Sequence, residues 1–208
     1  MNDLDPNRSP LDADLLARLQ KLPAANIGDV QDRLGMMDAG ISPIWPGARI
    51  AGVAVTVLTA AGDNKVIHAA MDAARPGEVI VINGMGDMNR ALIGELMGEK
   101  ANALGLGGFI IDGCVRDGEA LAEIPMPVFA RGLTPAGPYK NGPGYIGRPV
   151  AMGGVVVQVG DVVVADADGV VVIRRSELED IVERAEGKFA QELAKRQMLR
   201  QGGSPSLA

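Results

Sequence analysis

Nitrogen and sulfur ligands are almost missing from these 208 residues, which contain one histidine, His68, and one cysteine, Cys114. A three-histidine or cysteine-rich zinc site therefore cannot be built within one chain. A Ser-His-Asp or Cys-His apparatus would have to run through His68, and no Gly-x-Ser-x-Gly turn accompanies it, so hydrolytic triads are set aside. Any metal must be bound mainly by oxygen, which favours magnesium or manganese held by one or two carboxylates, waters and substrate. The lone cysteine also excludes an intrachain disulfide and fits a reducing cytoplasm.

Aromatic rings and positive charge are equally scarce. One Trp, two Tyr and three Phe offer little for base stacking, and a net charge of -6 leaves no basic field for a phosphate backbone. Nucleic acid is not an expected partner. No apolar run reaches membrane-spanning length, and the polar, acidic start MNDLDPNRSPLDAD does not resemble a signal peptide.

What is present is enough apolar residue, 47% of the chain, for one good core. Residues 12–35 carry two helical patterns, with Leu15, Leu16, Leu19 and Leu22 in the first and Ile27, Val30 and Leu34 in the second, after Pro23. Alternation over 48–60 predicts a strand, GDN at 62–64 ends it with Asp63 or Asn64 as a cap, and a helix of about ten residues containing His68 follows. Strand 79–83, a loop, a helix near 92–104 and strand 108–112 make a βαβ unit. Met85, Met88 and Met97 around its loop read as core filler. Another strand, MPVFARG, precedes a Gly- and Pro-rich loop over 132–147. Short strands follow, turning at Gly160-Asp161 and Asp168-Gly169, and a long charged helix begins with Ser176 as its cap; residues 202–207 should fray.

Two motifs mimic ligand sites without completing them. Gly84-Met85-Gly86 begins like a dinucleotide fingerprint, but Asn89 stands at the third glycine. Asp166, Asp168 and Gly169 begin like a calcium loop, yet the strand VVVIRR replaces its glutamate, so a hairpin turn is the better reading.

The apolar run Gly107 to Ile111 in GGFIIDGCVRDGEAL empties into Asp112, Arg116 and Asp117. In α/β sheets ligands sit beyond the carboxyl ends of strands, so the Arg-Asp pair stands where a site is expected. Glu95, at the start of the preceding helix, brings a second acid to the same cleft. Such a set suits a 2-oxo acid: Arg116 grips its carboxylate, Glu95 and Asp117 hold a divalent cation, and the backbone N–H groups of Leu96 and Met97 receive the anion at the helix end beside Gly94. His68 reads by itself as a hydrogen-bonded packing residue and is a candidate for a supporting role in the site. Arg131, Lys140 and Arg148 are candidates for a second carboxylate. A Schiff-base alternative would use Lys65 or Lys100, although neither lies at an apolar strand end that would depress its pKa.

Four blocks, DGCVRD (112–117), GELMG (94–98), GDNKVIH (62–68) and GDVVVADADGVVVI (160–173), together resemble the RraA-like family, which includes the 4-hydroxy-4-methyl-2-oxoglutarate and 4-carboxy-4-hydroxy-2-oxoadipate aldolases. The resemblance implies a swivelling-domain-like (β/β/α) single α/β domain with a central sheet. Its division would be a helical extension over 1–22, a core over 23–175 and a C-terminal helix over 176–202. It also implies magnesium- or manganese-dependent cleavage of 4-hydroxy-2-oxo acids to pyruvate and a second keto acid, with oxaloacetate decarboxylase side activity, in homotrimers or homohexamers with interface sites. Arg116 then matches the catalytic arginine, Asp117 the metal-site aspartate, and Glu95 a metal-site acid that is commonly aspartate. Glu192 matches an acid supplied by the neighbouring subunit. Because some relatives are protein inhibitors of ribonuclease assemblies, a non-catalytic regulator is the alternative.

Overall fold

The computed structural model describes residues 2–202. Its elements, in order, are α1 (Ala13–Leu19), α2 (Ala24–Val30), β1 (Ser42–Pro43), β2 (Ile50–Thr59), α3 (Lys65–Ala73), β3 (Val79–Ala91), α4 (Glu95–Ala103), β4 (Gly108–Val115), α5 (Gly118–Glu123) and β5 (Val128–Leu133). There follow β6 (Gly144–Ile146), β7 (Val150–Met152), β8 (Val155–Val157), β9 (Val162–Asp166), β10 (Gly169–Ile173) and α6 (Leu178–Arg200). Strands β2, β3, β4 and β5 run parallel, and β9 adds antiparallel to the first half of β2 while β6 takes the second half. The expected single α/β domain with a central sheet, a βαβ unit and a long C-terminal helix is the observed one.

Alternation along each strand sorts side chains into layers. Ile80, Ile82, Phe109, Ile111, Val128 and Ala130 face α3, α4 and α5, where Ile67, Met71, Met97 and Leu121 complete one core. Val79, Val81, Ile110 and Phe129 face the other way, onto Val163, Ala165, Val170 and Val172 of the β9–β10 hairpin. The opposite face of that hairpin, with Val162, Val164, Val171 and Ile173, is covered by Leu19, Leu22 and Ile27 and by Leu178, Ile181, Val182 and Ala185 of α6. The sheet therefore lies between a helical layer and a β layer, and the β layer has helices behind it.

Several local expectations are corrected. Helix α2 ends at Val30 and the chain turns through Asp32 and Arg33, both at positive φ, so the helical period breaks and Leu34 is 71% exposed. Strand β3 does not stop at 83 but continues irregularly to Ala91, with register shifts against β4. That extension runs off the packed sheet, leaving Met85 66% and Met88 48% exposed, while Met97 is buried as expected. Ser176 lies inside a 3-10 turn (Arg175–Glu177), and among the described residues no side chain caps the start of α6. Helix α5, unforeseen, is six residues long. The turn at Asp168-Gly169 is the expected hairpin; Asp166 Oδ1 accepts the Asp168 N–H, and its Oδ2 accepts the N–H of Ala24 at the start of α2. Residues 203–207 of the expected frayed end lie outside the described residues.

An ion triad built on the buried Asp112 locks the sheet's carboxyl edge. Arg131 on β5 donates to buried Asp112 on β4 and, at 2.9 Å, to Asp38. Hydrogen bonding to Asp38 and Asp112 raises the Arg131 pKa, and the same bond lowers that of Asp38. Removing one partner strands the other charge, so Arg131→Ala should cost about 3 kcal/mol, read as a lower urea midpoint at unchanged slope. Arg131→Leu combined with Asp112→Leu should recover part of that loss.

Candidate functional site at the carboxyl ends of β3 and β4

Strand β4 delivers Arg116 and Asp117 to the mouth of the sheet, and the segment after β3 returns beside them. The N–H of Arg116 donates to the Ile93 carbonyl at 3.0 Å, and that of Leu92 to the Cys114 carbonyl at 2.8 Å, so two chain segments are stitched together where they leave the sheet. Asp117 adopts a left-handed conformation (φ 57°, ψ 42°) that swings the chain directly into α5, where its carbonyl receives the Leu121 N–H. Its carboxylate turns the other way. Asp117 Oδ2 accepts the N–H of Glu95 at 3.1 Å and lies 3.3 Å from Arg116 Nε. An acid from one strand end thus caps the start of α4, at the helix's positive end.

Gly94 makes that approach possible. A Cβ there would fall 2.4 Å from Asp117 Oδ2 and 2.8 Å from Arg116 Cγ. The constraint is space, since its φ of -158° is open to any residue.

Beside the pair lies a cavity of about 130 Å³, lined by Asn64, His68, Gly94, Leu96, Met97, Arg116, Pro138 and Lys140 among others. Glu95 and Asp117 are not among its lining residues; each is the chain neighbour of one, Glu95 of Gly94 and Asp117 of Arg116. The Met97 N–H is already given to the Gly94 carbonyl at 3.1 Å, and the Glu95 N–H to Asp117. Of the two amides expected to receive an anion, Leu96's is therefore the one without a partner among the described residues, and Met97's is corrected to an internal bond. Larger hollows occur elsewhere, one of about 530 Å³ beside α6, but Arg174 and Arg184 in its walls are already paired with Asp161 and Asp180.

His68 joins the site from α3. Burial, then the nearby ammonium groups of Lys100 and Lys140, push its pKa below the usual 6.5, so the ring is neutral at neutral pH. Asn64, one turn before it, is buried with Nδ2 3.4 Å from Met97 Sδ, and its Oδ1 has no hydrogen-bond partner among the described residues. Sequence reasoning saw Asn64 only as a cap; its place as the last residue of the GDN turn, directly before the His68 helix, was the available signal.

Of the three basic candidates for a second carboxylate, Lys140 alone lines this cavity. Arg131 is committed to the triad with Asp38 and Asp112, and Arg148 to Asp3 at 2.6 Å with its guanidinium over the Tyr145 ring. The Schiff-base candidates do not line it: Lys65 is exposed at the start of α3, and Lys100 pairs with Asp72. Glu192 is not brought here within one chain. It accepts from Asn26 Nδ2 at 2.8 Å and lies 3.6 Å from Lys188, on the α2–α6 side of the molecule.

The described residues contain no group of three His, Cys, Asp or Glu side chains able to enclose a metal. The Asp117 carboxylate beside the cavity, with Glu95 the next acid along the chain from the lining Gly94, is an oxygen donor set that fits a hard ion keeping several waters; it does not fit a closed zinc centre.

Residues 24–172 match the RraA-like (Aldolase/RraA) family model. A protein of Halalkalibacterium halodurans named "Putative 4-hydroxy-4-methyl-2-oxoglutarate aldolase" is 37% identical over 187 residues, covering 90% of this chain and 89% of that one. Among solved structures, a protein from Pseudomonas syringae pv. tomato superposes with a TM-score of 0.84 at 28% identity, over 95% of this chain and 97% of its own. The RNA-processing inhibitor RraA from Thermus thermophilis gives 0.68 at 27% identity, over 74% and 93%. With the family model spanning most of the chain and a relative matched nearly end to end, this chain belongs to the RraA-like family.

Proposed function

We propose that the chain is a divalent-metal-dependent lyase that cleaves 4-hydroxy-2-oxo acids to pyruvate and a second keto acid, and that it decarboxylates oxaloacetate at the same site. One observation carries this reading: an arginine, an acid-capped helix start, a neutral histidine and a lysine converge on one small cavity at the strand ends. Glu95 and Asp117 would hold the ion, magnesium or manganese, which when bound polarises the 2-oxo group of the substrate. Arg116 binds the substrate carboxylate and keeps positive charge beside the oxygen that becomes negative. The Leu96 N–H adds a hydrogen bond to the same anion. Neutral His68 takes the proton of the C4 hydroxyl as the C3–C4 bond breaks, its electrons passing into the enolate of pyruvate. Loss of carbon dioxide from oxaloacetate reaches the same enolate. Lys140 meets the distal carboxylate of a dicarboxylic substrate.

The chain acts as a homotrimer or homohexamer, with Glu192 offered to a neighbouring copy. Leu193, Met198 and Leu199, exposed on the second half of α6, support an assembled state. The likeness to the RNA-processing inhibitor RraA from Thermus thermophilis supports a non-catalytic regulator as the second reading.

Arg116→Ala should lower kcat by a factor of about a hundred or more with oligomer size unchanged in gel filtration; near-normal turnover removes the mechanism. Gly94→Ala, which drives a methyl into Asp117 and Arg116, should lower kcat/KM at least about ten-fold while thermal stability changes little. Chelator should abolish pyruvate release and magnesium or manganese restore it, whereas borohydride with pyruvate should trap no adduct. Failure across a panel of 4-hydroxy-2-oxo acids and oxaloacetate, with tight binding to a ribonuclease, would favour the regulator.

A further inference from the structure

One buried carboxylate fastens the two walls of the cavity together. Asp63 is 2% exposed, yet its carboxylate is fully engaged. Oδ1 accepts the Lys65 N–H at 2.9 Å, at the start of α3; Oδ2 accepts the N–H groups of Asn141 at 2.8 Å and Gly142 at 2.7 Å. Capping a helix needs only the first of these. The other two reach a loop 78 and 79 residues away.

Backbone bonds continue the fastening. The Tyr139 N–H donates to the Gly62 carbonyl at 2.8 Å, the Asn64 N–H to the Tyr139 carbonyl at 3.0 Å, and the Ala60 N–H to the Pro143 carbonyl at 3.1 Å. Thr59 Oγ1 holds the Asp63 carbonyl at 2.7 Å. Lys140 is therefore the residue between two anchored neighbours, Tyr139 and Asn141. Gly142 lets the loop close in: a Cβ there would lie 2.9 Å from Asp63 Cγ. Burial pushes the Asp63 carboxyl up, but the N–H groups of Lys65, Gly142 and Asn141 outweigh it and hold the pKa below the usual carboxylate value.

We infer that Asp63 is a positioning residue that aims Lys140 into the cavity and so sets affinity for the distal carboxylate of the substrate. This rests on the enzymatic reading above. An amide cannot replace the carboxylate, because its single oxygen can serve either the Lys65 N–H or the loop pair, and its NH₂ then faces donors on the other side.

The test is Asp63→Asn in the full chain. Without substrate, amide hydrogen exchange at Asn141 and Gly142 should accelerate. With a dicarboxylic 4-hydroxy-2-oxo acid, KM should rise at least about ten-fold and kcat change less than about three-fold, a split that general loosening of the fold would not produce. Inhibition by pyruvate, which lacks a distal carboxylate, should be nearly unaltered. Asp63→Asn with Lys140→Ala should show a KM no higher than Lys140→Ala alone. Additive effects in the double variant, or an unchanged KM despite faster loop exchange, overturn the inference while leaving the enzymatic reading standing. A wild type that releases no pyruvate overturns both. Should Asp63→Asn not fold, Gly142→Ala pushes the same loop from its other side and should give the same KM-selective loss; an unchanged KM there overturns the inference.

Discussion

Strand β4 has no solvent-facing side. All eight residues from Gly108 to Val115 are buried, and both neighbouring strands run parallel to it. A strand with apolar side chains on both faces must be covered on both, and parallel neighbours require crossovers that supply one of the covers. Helices α4 and α5 pack against Phe109 and Ile111, while the β9–β10 hairpin packs against Ile110. That hairpin then exposes its own apolar far face, which α1, α2 and α6 cover. The layered architecture follows from a single strand that cannot touch water.

The same constraint determines where polar chemistry is possible. Within β4 the one charged side chain, Asp112, is buried against Arg131; the other charges, Arg116 and Asp117, gather past its end, beside whatever the crossover helix presents there. α4 presents the Leu96 amide, without a partner among the described residues, and a glycine before it that admits a neighbouring acid. The strand provides rigidity, the helix end provides polarity, and the third wall comes from the turn and helix after β2. This third wall has no counterpart in the βαβ unit itself, and its geometry depends on a loop far away in sequence.

Legibility in the sequence follows the range of the forces involved. Valine alternation in VVVADADGVVVI announces β9 and β10 because burial on a pleated strand is a two-residue property. The Arg116-Asp117 pair was readable because an apolar run ending in charges is local too. Helix α5 was not, since six residues complete too few turns to show a period. Leu34 fits a helical pattern that the left-handed residues before it interrupt. The Gly- and Pro-rich loop is shaped by Asp63, and nothing near residues 134–147 states that dependence. Lys140 could be nominated from charge alone, but its selection over Arg131 and Arg148 required knowing that both arginines are already engaged.

Asp117 occupies a region of backbone space that most side chains avoid, and here a residue with a Cβ holds it at the point where two segments meet. Glycine would relax that backbone and loosen the chain's hold on Arg116, Glu95 and α4. Selection for thermal stability alone would therefore tend to drift toward glycine at this position, and selection for the site would resist it. Residue 117 is a place where the interests of the fold and of the cleft diverge within one residue.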